Sequence, residues 1–342
     1  MPLHGVRWAS ILCLLVLLPL TGCAEEPIME PADEANLSME GPAADFNNEV
    51  RFASFNASLN RFNLGDLATE LSSPGSPQPD AIAEIIQRTR PDVLLINEFD
   101  YDAAGVSAQA FLNNYLKVAH GDAEPIDYPY MYVAPSNTGI PSGFDLDNNG
   151  SVGGPGDAFG FGFFEGQFGM VVYSMYPIDM GAIRTFQLFL WADMPGAMLP
   201  VDPGTQEPWY SEEELEVVRL SSKSHWDIPV TIGNKTVHFL VSHPTPPVFD
   251  GPEDRNGTRN SDEIRFWADY IIPSRSAYVY DDDGMYGGLP PGAMFVIAGD
   301  QNADPYDGDS TPPAIAQLLE HPQVNTKVTP DSEGGPEQAA LQ

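Results

Sequence analysis

The 342-residue chain has few basic residues, with 15 Lys and Arg against 49 Asp and Glu and a formal net charge of −34. Proteins bind duplex nucleic acid largely through Lys and Arg that neutralise phosphates, so nucleic acid is a conceivable but disfavoured partner. A small phosphoester held by a metal ion is more compatible with this charge. The excess of acids is otherwise typical of a solvated, self-repelling surface in a salty extracellular setting.

The chain also has no hydrophobic run near its start that is long enough to span a bilayer. His4 and Arg7 precede the apolar run Ile11–Leu20, which is much shorter than the roughly 20 residues that a membrane helix needs. Basic residues followed by a short apolar run are typical of an export signal. We therefore predict a signal peptide over residues 1–22.

Cysteine is nearly absent, with only Cys13 and Cys23 in the chain. The end of the apolar run, Leu20-Thr21-Gly22-Cys23, resembles the lipobox of bacterial lipoproteins. That resemblance implies that Cys23 becomes the lipidated first residue of an exported protein anchored in the cell envelope, at the outer membrane or cell surface. A secretory signal cleaved elsewhere is the alternative. The mature chain would retain one cysteine and form no internal disulfide.

Residues 23–48 are acidic and lack hydrophobic periodicity, and we predict a disordered tether. Residues 49–342 alternate apolar strands with amphipathic helices and are predicted to form one domain. Predicted strands cover 50–55, 92–96, 130–134, 169–178, 216–222, 228–232, 235–242 and 293–298, and predicted helices cover 79–90, 108–116, 261–271 and 311–320. No internal repeat is apparent, and the sequence carries no signal for an oligomeric state.

One strand end carries an unusual set of polar residues. The apolar run from Ala293 to Ala298 stops at Gly299, and Asp300 and Asn302 follow. Residues two apart in extended backbone point to the same side, so a carboxylate and an amide can converge beyond this strand. Asx-rich turns after strands are common, and a turn that only satisfies backbone donors is the alternative interpretation.

Three further strand ends carry similar polar groups. The four segments are FNAS at 55–58, LLINEFD at 94–100, VSHPTPP at 241–247 and GDQNAD at 299–304. In type and order they resemble the endonuclease/exonuclease/phosphatase family, which includes deoxyribonuclease I, exonuclease III and inositol polyphosphate phosphatases. The resemblance covers roughly residues 49–322. It implies an α/β (α+β) fold, a deoxyribonuclease I-like four-layer sandwich of two mixed β-sheets flanked by helices.

The resemblance also implies a hydrolase of phosphomonoesters or phosphodiesters that uses Mg²⁺ or Mn²⁺. Glu98 would be the principal metal ligand, and Asn56 would contact the metal site and orient Asp300. Asp300 would polarise or deprotonate the attacking water, and Asn302 would hydrogen-bond a phosphoryl oxygen. Ser58 stands where some relatives have a second acidic ligand, which leaves open whether one or two metals bind.

His243 matches a histidine that binds phosphate or donates a proton in the family, although a lone histidine after a strand is more often structural. Arg255 and Arg259 follow in a chain with few bases, and either could bind a substrate phosphate. Ion pairing with neighbouring acids such as Glu253 is an equally supported role for both arginines.

A second metal signal lies in the glycine-rich segment 139–169. Asp145, Asp147 and Asn149 alternate before Gly150 and resemble the first half of a calcium loop. The twelfth position of such a loop is Gly156 instead of glutamate, with Asp157 next. We predict a calcium site at Asp145, Asp147, Asn149 and Asp157, the alternative being a plain Asx-rich loop.

The family pattern ends with a further strand and a Ser-Asp-His motif that this sequence lacks before Gln342. We therefore expect residues 49–342 to lack the family's C-terminal strands and to hydrolyse phosphoesters weakly. Two functions remain open. One is an envelope-anchored, metal-dependent phosphoesterase, and the other is a non-catalytic surface binding protein stabilised by calcium.

Overall fold

The computed structural model describes residues 49–306, 308–329 and 333–341. The predicted signal peptide over 1–22, the predicted tether over 23–48 and Cys23 lie outside the described residues. Within the described ranges, no helix combines the length and the apolar character that crossing a membrane requires.

Eight strands form two four-stranded mixed sheets. The strands are β1 (Phe52–Leu59), β2 (Val93–Phe99), β3 (Tyr130–Tyr132), β4 (Met170–Ser174), β5 (Arg184–Thr185), β6 (His225–Ile232), β7 (Lys235–Ser242) and β8 (Met294–Ala298). The first sheet has the order β1-β2-β4-β3 and the second has the order β5-β6-β7-β8. The pairs β1–β2 and β7–β8 are parallel, and the other pairs are antiparallel.

The helices lie between these strands along the chain. They are α1 (Asp66–Leu71), α2 (Pro77–Thr89), α3 (Val106–Phe111), α4 (Glu212–Leu215), α5 (Arg255–Tyr270), α6 (Ala316–Leu319) and α7 (Gly334–Ala339). A π-helical turn at Leu112–Leu116 continues α3, and 3₁₀ turns occur at Pro155–Asp157, Trp191–Asp193 and Ser276–Tyr278.

Three hydrophobic clusters show that the layers stack as helix, sheet, sheet and helix. The central cluster joins the inner faces of both sheets, with Leu95 and Val172 from the first and Trp226 and Phe239 from the second. A second cluster packs α1, α2 and α3 on the outer face of the first sheet. A third packs α5 and α6 on the outer face of the second sheet. The predicted four-layer sandwich is therefore confirmed.

Three predicted elements differ markedly from the structure. The helix predicted at 311–320 is helical only at Ala316–Leu319, after a turn that contains Pro312 and Pro313. Residues 216–222 form no strand; Leu220 instead donates a backbone hydrogen bond to the carbonyl of Phe189, and the segment runs as an irregular loop into β6. The helix predicted at 261–271 begins six residues earlier, at Arg255. Its first turns are polar and show no apolar periodicity, so the sequence pattern did not reveal them.

Candidate active site

The parallel pairs β1–β2 and β7–β8 direct polar residues to one shared edge of the sandwich. Asn56 on β1 donates from Nδ2 to Glu98 Oε1 at 2.8 Å and to Asp300 Oδ2 at 3.0 Å. Glu98 belongs to the first sheet, and Asp300 follows β8 of the second sheet. One amide therefore links carboxylates from both sheets.

The orientation of the Asn56 amide limits its role as a metal ligand. Its Oδ1 accepts a hydrogen bond from the backbone N–H of Ser58 at 3.2 Å, while its nitrogen faces the two carboxylates. Coordination of a metal through the Asn56 oxygen would need the opposite amide orientation. In this arrangement Asn56 positions Glu98 and Asp300.

Glu98 adopts a left-handed backbone conformation, with φ of 59°. Such a conformation is uncommon for residues other than glycine and costs on the order of 1–3 kcal/mol, which surrounding contacts must offset. The strain coincides with a change of register between β1 and β2 after Asn56. In this conformation the Glu98 carboxylate faces Asn56 and Asn60. Asn60 Nδ2 donates to Glu98 Oε2 at 2.9 Å.

A buried asparagine joins the two sheets beneath these carboxylates. Asn97 Oδ1 accepts from the backbone N–H of Asp300 at 3.2 Å, and Asn97 Nδ2 donates to the carbonyl of Ser242 at 3.5 Å. Asn97 is fully buried, so both contacts form away from water. Neither Asn97 nor Asn60 was predicted from the sequence to have a role.

His243 lies beside this cluster, with Nε2 at 3.9 Å from Asp300 Oδ2. Burial, together with the nearby charge of Lys223, holds the pKa of His243 well below its usual range. The imidazole is therefore neutral at neutral pH, and the contact with Asp300 is not an ion pair. His243 Nδ1 is buried without a hydrogen-bond partner among the described residues.

Asn302 lies next to Asp300 and contacts other protein groups through its backbone and its side chain. Its backbone N–H donates to Asp300 Oδ1 at 3.0 Å, and its Nδ2 donates to the carbonyl of Pro244 at 3.0 Å. The Asn302 backbone is also left-handed, with φ of 49°. Asn302 thus holds both Asp300 and the segment that follows His243.

Two buried charged residues behind His243 were missed from the sequence. Glu263 on α5 accepts hydrogen bonds from the N–H of Ser222 at 2.6 Å and from the N–H of Thr245 at 2.7 Å. Burial raises the pKa of Glu263 and lowers the pKa of Lys223 to about 8. A signal existed for Glu263, because it lies four residues before the buried Trp267 on the helix and so shares its core-facing side.

Arg255 and Arg259 both donate hydrogen bonds to backbone carbonyls, although Arg255 Nε is buried without a hydrogen-bond partner among the described residues. Arg259 donates to the carbonyls of Leu220, Phe159 and Arg219. Arg255 donates from Nη1 to the carbonyl of Leu146 at 3.0 Å and lies 3.6 Å from Glu253. Arg255 thus has the acidic neighbour that the ion-pairing alternative requires, whereas the hydrogen bonds of Arg259 go to carbonyls.

A cavity of about 770 Å³ opens at the edge that carries the carboxylates. Glu98, Lys223 and His243 contribute to one part of its wall. Aromatic and aliphatic side chains form much of the remaining wall, among them Phe159, Phe161, Phe168, Tyr210, Val218, Val248 and Phe249. A cavity of this size and composition matches that of small-molecule binding sites.

The predicted calcium loop brings its carboxylates together. Asp145, Asp147 and Asp157 each place one oxygen within 4.8 Å of the others. The backbone N–H of Asn149 donates to Asp145 and Asp147, so the loop wraps around these acids. Asp157 is buried, although it stands one position beyond the usual end of such a loop. The spacing therefore predicted correctly that these acids lie together, and binding of calcium by them and Asn149 stays a prediction.

The donor atoms at the sheet edge suit a hard divalent cation. Magnesium is usually held by one or two carboxylates and retains several waters. Glu98 and Asp300 supply two carboxylates that share one amide donor, and Glu98 faces the cavity. The residues present therefore fit Mg²⁺ or Mn²⁺ at Glu98.

The sequence profile of the Endonuclease/Exonuclease/phosphatase family matches residues 53–339. The chain belongs to this family, whose members are hydrolases of phosphoester bonds. A search of curated proteins found no match.

Solved structures similar to this chain include an endonuclease/exonuclease/phosphatase from Beutenbergia cavernae, with 16% identity, coverage of 78% of this chain and 50% of that chain, and a TM-score of 0.37. Sphingomyelinase C from Streptomyces griseocarneus has 15% identity, 80% and 69% coverage and a TM-score of 0.37. A beta toxin mutant from Staphylococcus aureus with bound magnesium ions has 14% identity, 81% and 71% coverage and a TM-score of 0.41. The chain thus spans half the length of the Beutenbergia structure, and family membership rests on the sequence profile.

Proposed function

We propose that this chain hydrolyses phosphomonoesters or phosphodiesters with the help of Mg²⁺ or Mn²⁺. The observation that carries the proposal is the link from Asn56 to both Glu98 and Asp300. Two carboxylates from different sheets repel each other, and a fold that places them on one amide beside a cavity has a use for a cation there. The strained backbone of Glu98 supports the same proposal, because backbone strain of this kind is found mainly at functional sites.

In this proposal Glu98 would hold the metal, which when bound would supply Lewis-acid stabilisation of the charge on the phosphoryl group. Asp300 orients the attacking water and accepts its proton, while the backbone N–H of Asn302 holds one Asp300 oxygen in place. His243 is neutral in the free protein because of burial, and it lies where it can donate a hydrogen bond to a phosphoryl oxygen. Contact of the Asn302 side chain with that oxygen remains a prediction.

The direct test is hydrolysis of nitrophenyl phosphate and bis(nitrophenyl) phosphate with Mg²⁺, Mn²⁺ or Ca²⁺, and with a chelator. Glu98→Gln and Asp300→Asn should each lower the rate by about 10²- to 10⁴-fold, because each removes a charged group that acts in the reaction. Glu320→Gln changes an exposed glutamate and is the matched control. Equal rates for all variants would place the chemistry elsewhere.

The alternative function is a non-catalytic surface binding protein on the same fold. It would be favoured if the folded wild-type chain hydrolysed neither ester with any of the three metals. Nucleic acid remains a disfavoured substrate for either function, because of the net charge of −34.

We also propose that the loop 145–157 binds calcium as a structural ion. The three carboxylates grouped within 4.8 Å support this proposal. Calcium that binds only the folded state stabilises it by mass action, so millimolar Ca²⁺ should raise the melting temperature. Asp147→Ala should abolish that rise, while Asp202→Ala, in an exposed turn, should retain it. Equal melting temperatures of the wild type with calcium and with chelator would show that the loop is only a turn.

Finally, we propose that the protein is exported and anchored in the bacterial envelope by a lipid on Cys23. The segment Leu20–Cys23 after the apolar run supports this proposal. Cys23→Ser should prevent processing and lipid attachment, which membrane fractionation and mass spectrometry of the mature N-terminus can detect. Identical processing and membrane partition of Cys23→Ser would contradict it.

A further inference from the structure

Three cationic side chains line the cavity beside the candidate active site: Lys223, Arg255 and Arg259. The two arginines direct N–H groups to backbone carbonyls of the protein, as described above. Among the described residues, the Lys223 ammonium forms no hydrogen bond and no ion pair within 4.0 Å. Of these three cations, Lys223 is therefore the one whose charged group has no protein acceptor among the described residues.

Lys223 is also in an unusual environment for a lysine. Its exposed fraction is 7%, in a chain where acids far outnumber bases. A buried charge without a close counter-ion is costly, and proteins rarely retain one without a use. The charges of Glu263, Glu98 and Asp300 all act on the ammonium, which places Lys223 near the two carboxylates of the candidate site.

The backbone around Lys223 is held firmly. Ser222 donates from its N–H and its hydroxyl to Glu263 Oε1, at 2.6 and 3.0 Å. The carbonyl of Lys223 accepts from the N–H of Asn137 at 2.8 Å. A buried lysine side chain on a fixed backbone loses less conformational freedom on binding an anion than an exposed lysine does, which favours binding.

We propose that Lys223 is a substrate-binding residue whose ammonium contacts the phosphoryl group of the phosphoester in this cavity. The inference rests on the proposed function and adds to it the residue that recognises the anion. It assigns to Lys223 the phosphate contact that the sequence suggested for Arg255 or Arg259. A compact ammonium suits a single phosphoryl group that also faces the metal site at Glu98.

The test is binding of inorganic phosphate to the full chain by calorimetry, with Mg²⁺ and with chelator. Lys223→Met removes a hydrogen bond between charged groups and should therefore weaken the affinity for phosphate by roughly 10- to 100-fold. Lys223→Arg, which keeps the charge, should bind within several-fold of the wild type. Lys235→Met removes an exposed lysine at the opposite end of β7 and should bind phosphate like the wild type.

A second measurement needs no variant, in case Lys223→Met fails to fold. Phosphate should slow the acylation of Lys223 by an amine-directed reagent and leave the acylation of Lys235 unchanged. Mass spectrometry of peptides measures the extent of acylation at each lysine. The inference is overturned if the wild type binds no phosphate, if Lys223→Met binds it equally well, or if phosphate does not protect Lys223.

Hydrolysis separates this inference from the proposed function. If phosphate binding depends on Lys223 but neither nitrophenyl ester is hydrolysed, the phosphoesterase fails and the anion site stands. If both esters are hydrolysed and Lys223→Met leaves KM and kcat unchanged, the phosphoesterase stands and the role of Lys223 fails. A rise in KM for Lys223→Met without a change in melting temperature supports a binding role over a structural one.

Discussion

His225 shows how burial sets the charge of a single side chain in this protein. It is fully buried at the start of β6, where its ring nitrogens lie 2.6 Å from Ser221 Oγ and 2.9 Å from the carbonyl of Glu263. The neutral ring satisfies both contacts when Nε2–H donates to the carbonyl and Nδ1 accepts from the hydroxyl. Burial lowers the pKa of His225 to about 4.

This shift predicts a loss of stability in mild acid. Between pH 6.5 and 4 the unfolded chain protonates His225 while the folded chain does not, so the free energy of unfolding falls as pH falls. Above pH 6.5 His225 causes no loss of stability. Below pH 6.5 the free energy of unfolding falls by about 1.4 kcal/mol per pH unit, so that about 2 kcal/mol is lost at pH 5. Urea unfolding at pH 7 and pH 5 measures the change.

His225→Gln removes this titration and should lose less stability than the wild type between the two pH values, whatever its stability at pH 7. His120→Gln, at a partly buried histidine outside the second sheet, is the control. Parallel pH profiles for the wild type and His225→Gln would show that His225 does not titrate in this way.

At the scale of elements, helix α5 connects the second sheet to the candidate site. Glu263 joins the loop before β6 to the loop after β7, and Asn260 donates from Nδ2 to the carbonyls of Thr245 and Gln301 at 2.9 Å. Both side chains are buried on the helix face that packs on the sheet. The helix therefore sets the distance between the loops that carry Lys223, His243 and Asp300.

We predict that Glu263→Gln destabilises the protein by about 1–3 kcal/mol. Glutamine offers one acceptor oxygen, so the N–H of either Ser222 or Thr245 is left buried without a partner. The loss of the Glu263 charge also removes a favourable electrostatic interaction with the positive charges of Lys223 and Arg259. Urea unfolding at pH 7 measures the loss, and Glu320→Gln should be neutral. An unchanged midpoint would show that water replaces the carboxylate.

At the scale of the whole molecule, two buried tryptophans distinguish the central core from the outer layer. Trp226 lies between the sheets, edge-on to Tyr132 with ring centroids 5.1 Å apart, and its Nε1 has no partner among the described residues. Trp191 lies in the outer cluster and donates from Nε1 to the buried Asp262 at 2.7 Å. The two side chains have the same size and burial but differ in polar contacts.

Trp191→Phe should therefore destabilise the protein more than Trp226→Phe. Both changes remove similar buried volume, but only Trp191→Phe leaves a buried carboxylate with one donor fewer. The expected difference is on the order of 1–2 kcal/mol, measured by urea unfolding at pH 7. A larger loss for Trp226→Phe would mean that packing between the sheets outweighs the hydrogen bond to Asp262.

Local pattern determined much of this fold. The strands that are buried on both faces, β2 and β4, are continuous apolar runs, and the helix α2 shows its apolar periodicity in the sequence. The family motifs drew attention to Asn56 within β1, to Glu98 near the end of β2, and to His243 and Asp300 just after β7 and β8. The acidic loop at 145–157 was equally visible, because its ligands are close in sequence.

The tertiary structure alone decided which polar groups remain free for a ligand. Arg255 and Arg259 were candidates from composition, but both donate to carbonyls far away in sequence, while the Lys223 ammonium has no acceptor among the described residues. The orientation of the Asn56 amide and the sheet-joining role of Asn97 likewise depend on contacts between residues more than 40 positions apart. A sequence pattern reports burial along one element, whereas the partners of a buried polar group come from other elements brought beside it by packing.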